Sequence, residues 1–186
     1  MKLRTMLPAG VAAITSLLLV AAPAMATNAS ETLTAGTLGF AATPGAVTFP
    51  ATILNGQNKT VTYTQPLDIA DASGSGAGWN ITATSTTFTS GSHTLSTGAT
   101  TVDSAPAAPT CDTGVTCTVG GTTTASFPYT LPAAATAPTA TKLYNAPANT
   151  GMGDQTVSPT WTLAIPGNAY AGSYTSTWTL SLVSGP

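Results

Sequence analysis

Large apolar residues spaced by single hydroxyl-bearing or small residues recur along this chain, and that period of two constrains its fold more than any other feature. It is clearest from Trp161 to Pro186. Trp161, Leu163 and Ile165 alternate with Thr162 and Ala164, and Pro166-Gly167 ends that arm. Beyond the connection, Tyr174, Trp178, Leu180 and Leu182 fall on one face, with Thr175, Thr177, Thr179 and Ser181 on the other. Successive side chains of an extended chain point to opposite faces, so each arm reads as a half-buried strand with a hydroxyl-rich outer side.

The same period marks the rest of the chain. Leu38 and Phe40 open a first strand, and Thr43 to Pro50, with two prolines and a glycine, reads as an edge segment or loop. After a turn at Asn55-Gly56, one strand is expected from Thr60 to Ile69, with Val61, Tyr63, Gln65, Leu67 and Ile69 on a common face and Pro66 as an edge or bulge position. A Ser/Gly turn over 71–78 leads into Trp79 and Ile81, which share a face. Phe88 and Leu95 flank a hairpin connection at 90–93, and Ala125, Phe127, Tyr129 and Leu131 form a strand whose Pro128 favours an edge. Pro132 to Pro138 reads as extended and solvated. No apolar spacing of three and four persists with caps outside the first 26 residues, so no helix is expected there. The predicted class is all-β: a single-domain two-sheet β-sandwich, Ig-like in general architecture, of short antiparallel strands.

Residues 1–26 read as a signal peptide: Lys2 and Arg4 supply a positive start, Val11 to Val20 an apolar core, and Ala24-Met25-Ala26 a small-residue cleavage site. The apolar run is short for a membrane span and no second one follows, so a secreted chain, 27–186, with no span is expected. Beyond the leader only Lys59 and Lys142 oppose Glu31, Asp68, Asp71, Asp103, Asp112 and Asp154. Two lysines cannot neutralise a row of phosphates, which argues against nucleic acid as a partner. A surface of Thr, Ser, Asn and Gly suits neutral glycans or other protein subunits better.

Four stretches carry a resemblance. Residues 67–81, Leu-Asp-Ile-Ala-Asp-Ala-Ser-Gly-Ser-Gly-Ala-Gly-Trp-Asn-Ile, set an aspartate and a Gly-rich turn before Trp79-Asn80-Ile81. Further on stand Gly151-Met152-Gly153, then Leu163-Ala164-Ile165-Pro166 with Ala169, then 171–177, Ala-Gly-Ser-Tyr-Thr-Ser-Thr. Together they resemble the WxL-domain cell-surface proteins of Gram-positive bacteria. Ile81 stands where that family usually has leucine, and Trp178 follows the Tyr-Thr-Ser-Thr run directly, with Leu180-Ser181-Leu182 in the usual place of the second Trp-x-Leu. A shift of two residues keeps a strand side chain on the same face, and Trp161 is a competing second tryptophan. The resemblance implies non-covalent attachment to the cell wall through peptidoglycan or another wall glycan, at the cell surface, and association with other surface proteins. The alternative is a structural subunit or adhesin of a surface protein assembly. The resemblance leaves 98–121 as an insertion.

Trp79, Trp161 and Trp178 each have two readings. One is packing between sheets, which is the better for Trp161; the other is a platform that stacks on sugar rings, with Asn80, Ile81, Thr179 and Leu180 beside it. Trp79 and Trp178 stay open between the two. Asp68 and Asp71, with Gly76 and Gly78, read as support for the Gly-rich turn; they lack the acidic density of a calcium loop, so no metal and no cofactor are expected. Cys111 and Cys117, six apart in an exported chain, read as a disulfide stapling 98–121. His93 is the single histidine. With no second histidine and no nucleophile elbow, the chain reads as a non-enzyme.

Overall fold

A computed structural model describes residues 27–120 and 126–186; the leader read over 1–26 lies outside them, as do Gly121 and Ala125. The compact unit that carries the sheets spans Thr34–Pro186. Every regular element among the described residues is a strand. The first seven are β1 (Leu38–Phe40), β2 (Lys59–Thr64), β3 (Leu67–Asp71), β4 (Trp79–Thr86), β5 (Thr89–Ser90), β6 (His93–Thr94) and β7 (Thr100–Val102). The others are β8 (Thr110–Cys111), β9 (Tyr129–Thr130), β10 (Ala133–Ala134), β11 (Thr141–Ala146), β12 (Gly153–Val157), β13 (Thr160–Ile165) and β14 (Trp178–Ser184). The protein is all-β, as its period of two implies.

One sheet runs β1-β3-β12-β8 and a second runs β2-β13-β7-β9. They are two halves of one ribbon. The arm 59–71 lies antiparallel to the arm 153–165 in a single register: Lys59 faces Ile165, Thr64 faces Thr160, Leu67 faces Val157 and Asp71 faces Gly153. The break falls where Pro66 and Pro159 lie. Neither proline has an N–H to give, so the ladder is interrupted there although Gln65 N–H still donates to the Pro159 carbonyl at 3.0 Å. The strand expected to run unbroken from Thr60 to Ile69 is therefore split between two sheets, while its inward face is kept.

The third sheet packs across this bent layer. Its centre is β4, with β14 antiparallel along one side and β11 along the other, and β10 takes over beside Ser85 and Thr86 where β11 ends. The β10 pairing is parallel, an exception to the expected antiparallel order, and it draws the start of the Pro132–Pro138 stretch into the sheet. Trp79, Ile81 and Ala83 of β4 meet Leu67, Ile69, Val157, Val102, Tyr129 and Trp161 in one buried cluster. At about 1.5–3 kcal/mol for each large apolar side chain enclosed, this contact is the main force holding the layers together.

Residues 98–120 are threaded through the fold rather than set apart from it. β7 pairs with β13 and β9, β8 pairs with β12, and Ala99, Thr100 and Val102 are buried. The disulfide Cys111–Cys117, with Cα atoms 5.5 Å apart, closes the turn after β8. β5 and β6 form a separate short hairpin at the expected 90–93 connection.

Candidate functional site

Over the outer part of β13, the 46–54 segment and the 169–176 turn stand apart and leave a groove. It consists of two hollows of about 580 Å³ each, which share Phe49, Leu163, Ser173 and Tyr174 as walls. One hollow is floored by Trp178 and Phe88. The rings of Phe49, Phe88 and Trp178 form a triangle with centroids 6.2–6.4 Å apart, Phe88 meeting both of the others edge-on. Behind it, Trp161 packs edge-on against Trp178 at 4.8 Å and fixes the indole from the core side. The second hollow is more aliphatic, with Leu54, Val61, Leu95, Ile165 and Ala169.

The rim is polar and pinned. Thr48, Ser173, Thr175 and Ser176 line the first hollow, Ser176 giving its hydroxyl proton to the Thr86 carbonyl. Thr89 and Thr175 exchange two backbone hydrogen bonds of 2.9 Å, which tie the turn before β14 to the β5–β6 hairpin. Tyr174 donates its hydroxyl to the Tyr170 carbonyl at 3.1 Å. The exposed Tyr170 stacks its ring on His93 with centroids 3.8 Å apart and planes 12° apart. The groove thus offers apolar ring faces bordered by neutral donors and acceptors.

Of the seven residues set out as a binding surface, only Trp178 reaches this groove. Trp79 and Trp161 are fully buried, which removes both rings from any external platform. An enclosed indole N–H needs an acceptor. Trp79 Nε1 donates to the Gly151 carbonyl at 2.9 Å, and Trp161 Nε1 donates to Gln65 Oε1 at 2.9 Å. Trp79 also stacks on Tyr144, whose hydroxyl donates to the Gly120 carbonyl at 3.1 Å and is pushed up to about 12 by burial. Ile81 is buried between the layers, and Asn80 uses Nδ2 to hold the Gly185 carbonyl at 2.8 Å. Thr179 is exposed on the far face of β14, and Leu180 packs half-buried against the core.

Phe49, Phe88 and Tyr174 complete the site. Tyr174 shares the face of Trp178 in the period of two, so it carried a signal. Phe49 alternates with Val47 across Thr48, but so short a run between prolines does not tell what it packs against.

Gly151-Met152-Gly153 serves Trp79. A Cβ at Gly151 would collide with the indole nitrogen, and its φ of +79° suits glycine. In the Ser/Gly turn, Asp71 Oδ1 accepts from the Ser73 amide at 3.0 Å and from its hydroxyl at 2.6 Å, and Ser73 and Ser75 hydroxyls meet at 2.9 Å. Gly78 lets the backbone pass the Ala146 carbonyl more closely than any Cβ would allow.

Asp68 lies elsewhere. On the outer face of the first sheet its carboxylate gathers with Asp112 and Asp154, one oxygen of each within 4.8 Å of the others. Burial, then the charges of Asp112 and Asp154, hold Asp68 above the usual carboxylate range. Thr156 donates to Asp112 Oδ1 at 3.0 Å, while Asp68 Oδ1 and Asp154 Oδ1 have no hydrogen-bond partner among the described residues. Three carboxylate donors are of the type that hard divalent cations take, although they fall short of the six to eight oxygens that calcium collects. Asp103 is opposite in sense: hydroxyls of Thr101 at 2.6 Å and Thr162 at 2.7 Å hold it below the usual range. Compared with family models, with curated proteins and with solved structures, the chain matches none.

Proposed function

We propose that this protein is an exported, cell-surface binding module that attaches non-covalently to the cell wall by holding wall glycan, peptidoglycan on the WxL resemblance, in the groove beside Trp178. The observation that supports this reading is the half-buried triangle of Phe49, Phe88 and Trp178 under a rim of Thr and Ser hydroxyls. Ring faces stack on the C–H faces of sugars, and uncharged hydroxyls exchange hydrogen bonds with sugar hydroxyls without a charge to desolvate. The turn that walls the groove, 169–176, is also part of the stretch that carries the resemblance. Both export and the family remain part of the proposal and rest on sequence alone.

Co-sedimentation with purified sacculi tests it. Wild-type protein is expected to pellet, and Trp178→Ala or Tyr174→Ala, each confirmed folded by near-UV circular dichroism, to bind at least about tenfold more weakly, corresponding to about 1.4 kcal/mol. A groove wall that does not support the core, Ser173→Trp, is expected to block the site sterically and to give the same loss. Unchanged pelleting of all three folded variants would move attachment away from the groove.

A further inference from the structure

We propose that the outer edge of β14 is a self-pairing surface through which two copies of this chain join in an antiparallel β-ribbon. The proposal goes beyond glycan binding and rests on how the sheet edges are guarded.

An open edge presents unpaired N–H and C=O groups, and natural sheets blunt such edges with brevity, charge, proline or a bulge. The other edges of this protein follow the rule. β1 has three residues, and β8, β9 and β10 have two each. β2 starts at Lys59 and is stopped by Pro66, and β11 carries both Lys142 and a register shift between Lys142 and Tyr144. β14 carries no charge, bulge or proline within its length, and Pro186 stands only beyond its end, as Pro66 does beyond β2. It is seven residues long, it pairs with β4 without a shift from Trp178 to Ser184, and no charged residue occurs anywhere after Asp154.

The hydrogen-bonding direction of the edge follows from its register. Thr86 N–H donates to the Thr177 carbonyl and Gly185 N–H to the Gly78 carbonyl, so the odd-numbered residues of β14 bond to β4. The backbone groups of Trp178, Leu180, Leu182 and Ser184 therefore face outward. Their side chains lie on the core face, where Trp178, Leu180 and Leu182 are only partly buried, and Val183 on the opposite face is 47% exposed. A second copy fits this edge because the strand is complementary to itself. With a twofold axis at Ser181, Leu180 lies opposite the partner's Leu182 and Trp178 opposite the partner's Ser184, in hydrogen-bonded pairs. The apolar stripe then continues across the joint with no like charges opposed.

Sedimentation velocity of the purified protein, from micromolar to millimolar, is expected to shift from monomer to dimer. Over the same range, amide exchange at Trp178, Leu180, Leu182 and Ser184 is expected to slow at least tenfold, while the odd-numbered amides, already bonded to β4, change little. Val183→Lys and Ser184→Pro, made separately, are expected to abolish dimerisation and leave the thermal midpoint and sacculus binding intact. A protein that stays monomeric at millimolar concentration overturns the proposal. So does a dimer whose four outward amides gain no protection, because its interface must then lie on another face.

Discussion

An indole nitrogen that is fully enclosed must find an acceptor, and Trp79 and Trp161 find theirs on segments far off in sequence, at Gly151 and Gln65. Gln65 is the more heavily used of the two partners. Its Oε1 takes the Trp161 proton while its Nε2 donates to the Gly45 carbonyl at 2.7 Å, which ties the loop before Phe49 to the core under the groove. Gln65→Leu keeps the bulk and removes both bonds. The buried Trp161 N–H left unpaired costs about 1–3 kcal/mol, whereas the Gly45 carbonyl, on an exposed residue, can turn to water, so chemical denaturation should show a loss of roughly 1–3 kcal/mol. At this scale the sequence was only half legible. That Gln65 shares the inward face of Val61 and Leu67 could be read from the period of two, but its partners are set by long-range packing that no local pattern records. Trp79 and Trp178 differ for the same reason: both alternate with apolar neighbours, and only the third dimension places one in the core and the other against an opening.

Among the elements, the strand arms were legible and their sheet assignment was not. Period two fixes which residues face inward on both sides of Pro66, yet it is silent on where a ladder passes from one sheet to the next. That depends on Pro159 lying opposite Gln65, a pairing between positions 94 residues apart in the numbering of the same ribbon. In sequence the segment 98–121 stands out as an insertion, since Thr, Ala, Pro and Gly give little apolar contrast; β7 and β8 within it are held by backbone pairing to β13 and β12. The disulfide in it stands beside β8, which has only two residues and pairs solely with β12. Closing so short a loop stabilises by about 2 kcal/mol in the chain-entropy account. Replacing both cysteines by serine should lower stability by that order in urea titration, with hydrogen exchange quickening first at Thr110 and Gly153 and least in β4.

For the whole molecule, few charges mean that pH acts through few groups, and two of them act with opposite sign. Asp68 is held above the ordinary carboxylate range by burial and by Asp112 and Asp154. Its contribution is complete below the unfolded value and is lost as pH rises through the raised folded value. Asp103, held low by the hydroxyls of Thr101 and Thr162, contributes above the unfolded value and loses that contribution as pH falls through the lowered one. The thermal midpoint should therefore be higher near about pH 4 than near about pH 7 on account of Asp68, and fall below about pH 3 on account of Asp103. Asp68→Asn should flatten the upper slope and Asp103→Asn the lower; equal slopes in wild type and Asp68→Asn would show that neither burial nor the neighbouring carboxylates hold Asp68 high.

The shared register of the bent ribbon also dictates where the chain can change length. Adding or deleting one residue within 59–71 would slide one side of that arm against 153–165 and turn inward side chains of β2 or β3 outward, since no loop separates the two strands to absorb the slip. Length variation among descendants of this chain must then collect in the turns, in stretches such as 72–78 and 103–109, and spare the two arms, with changes at Pro66 and Pro159 inherited as a pair.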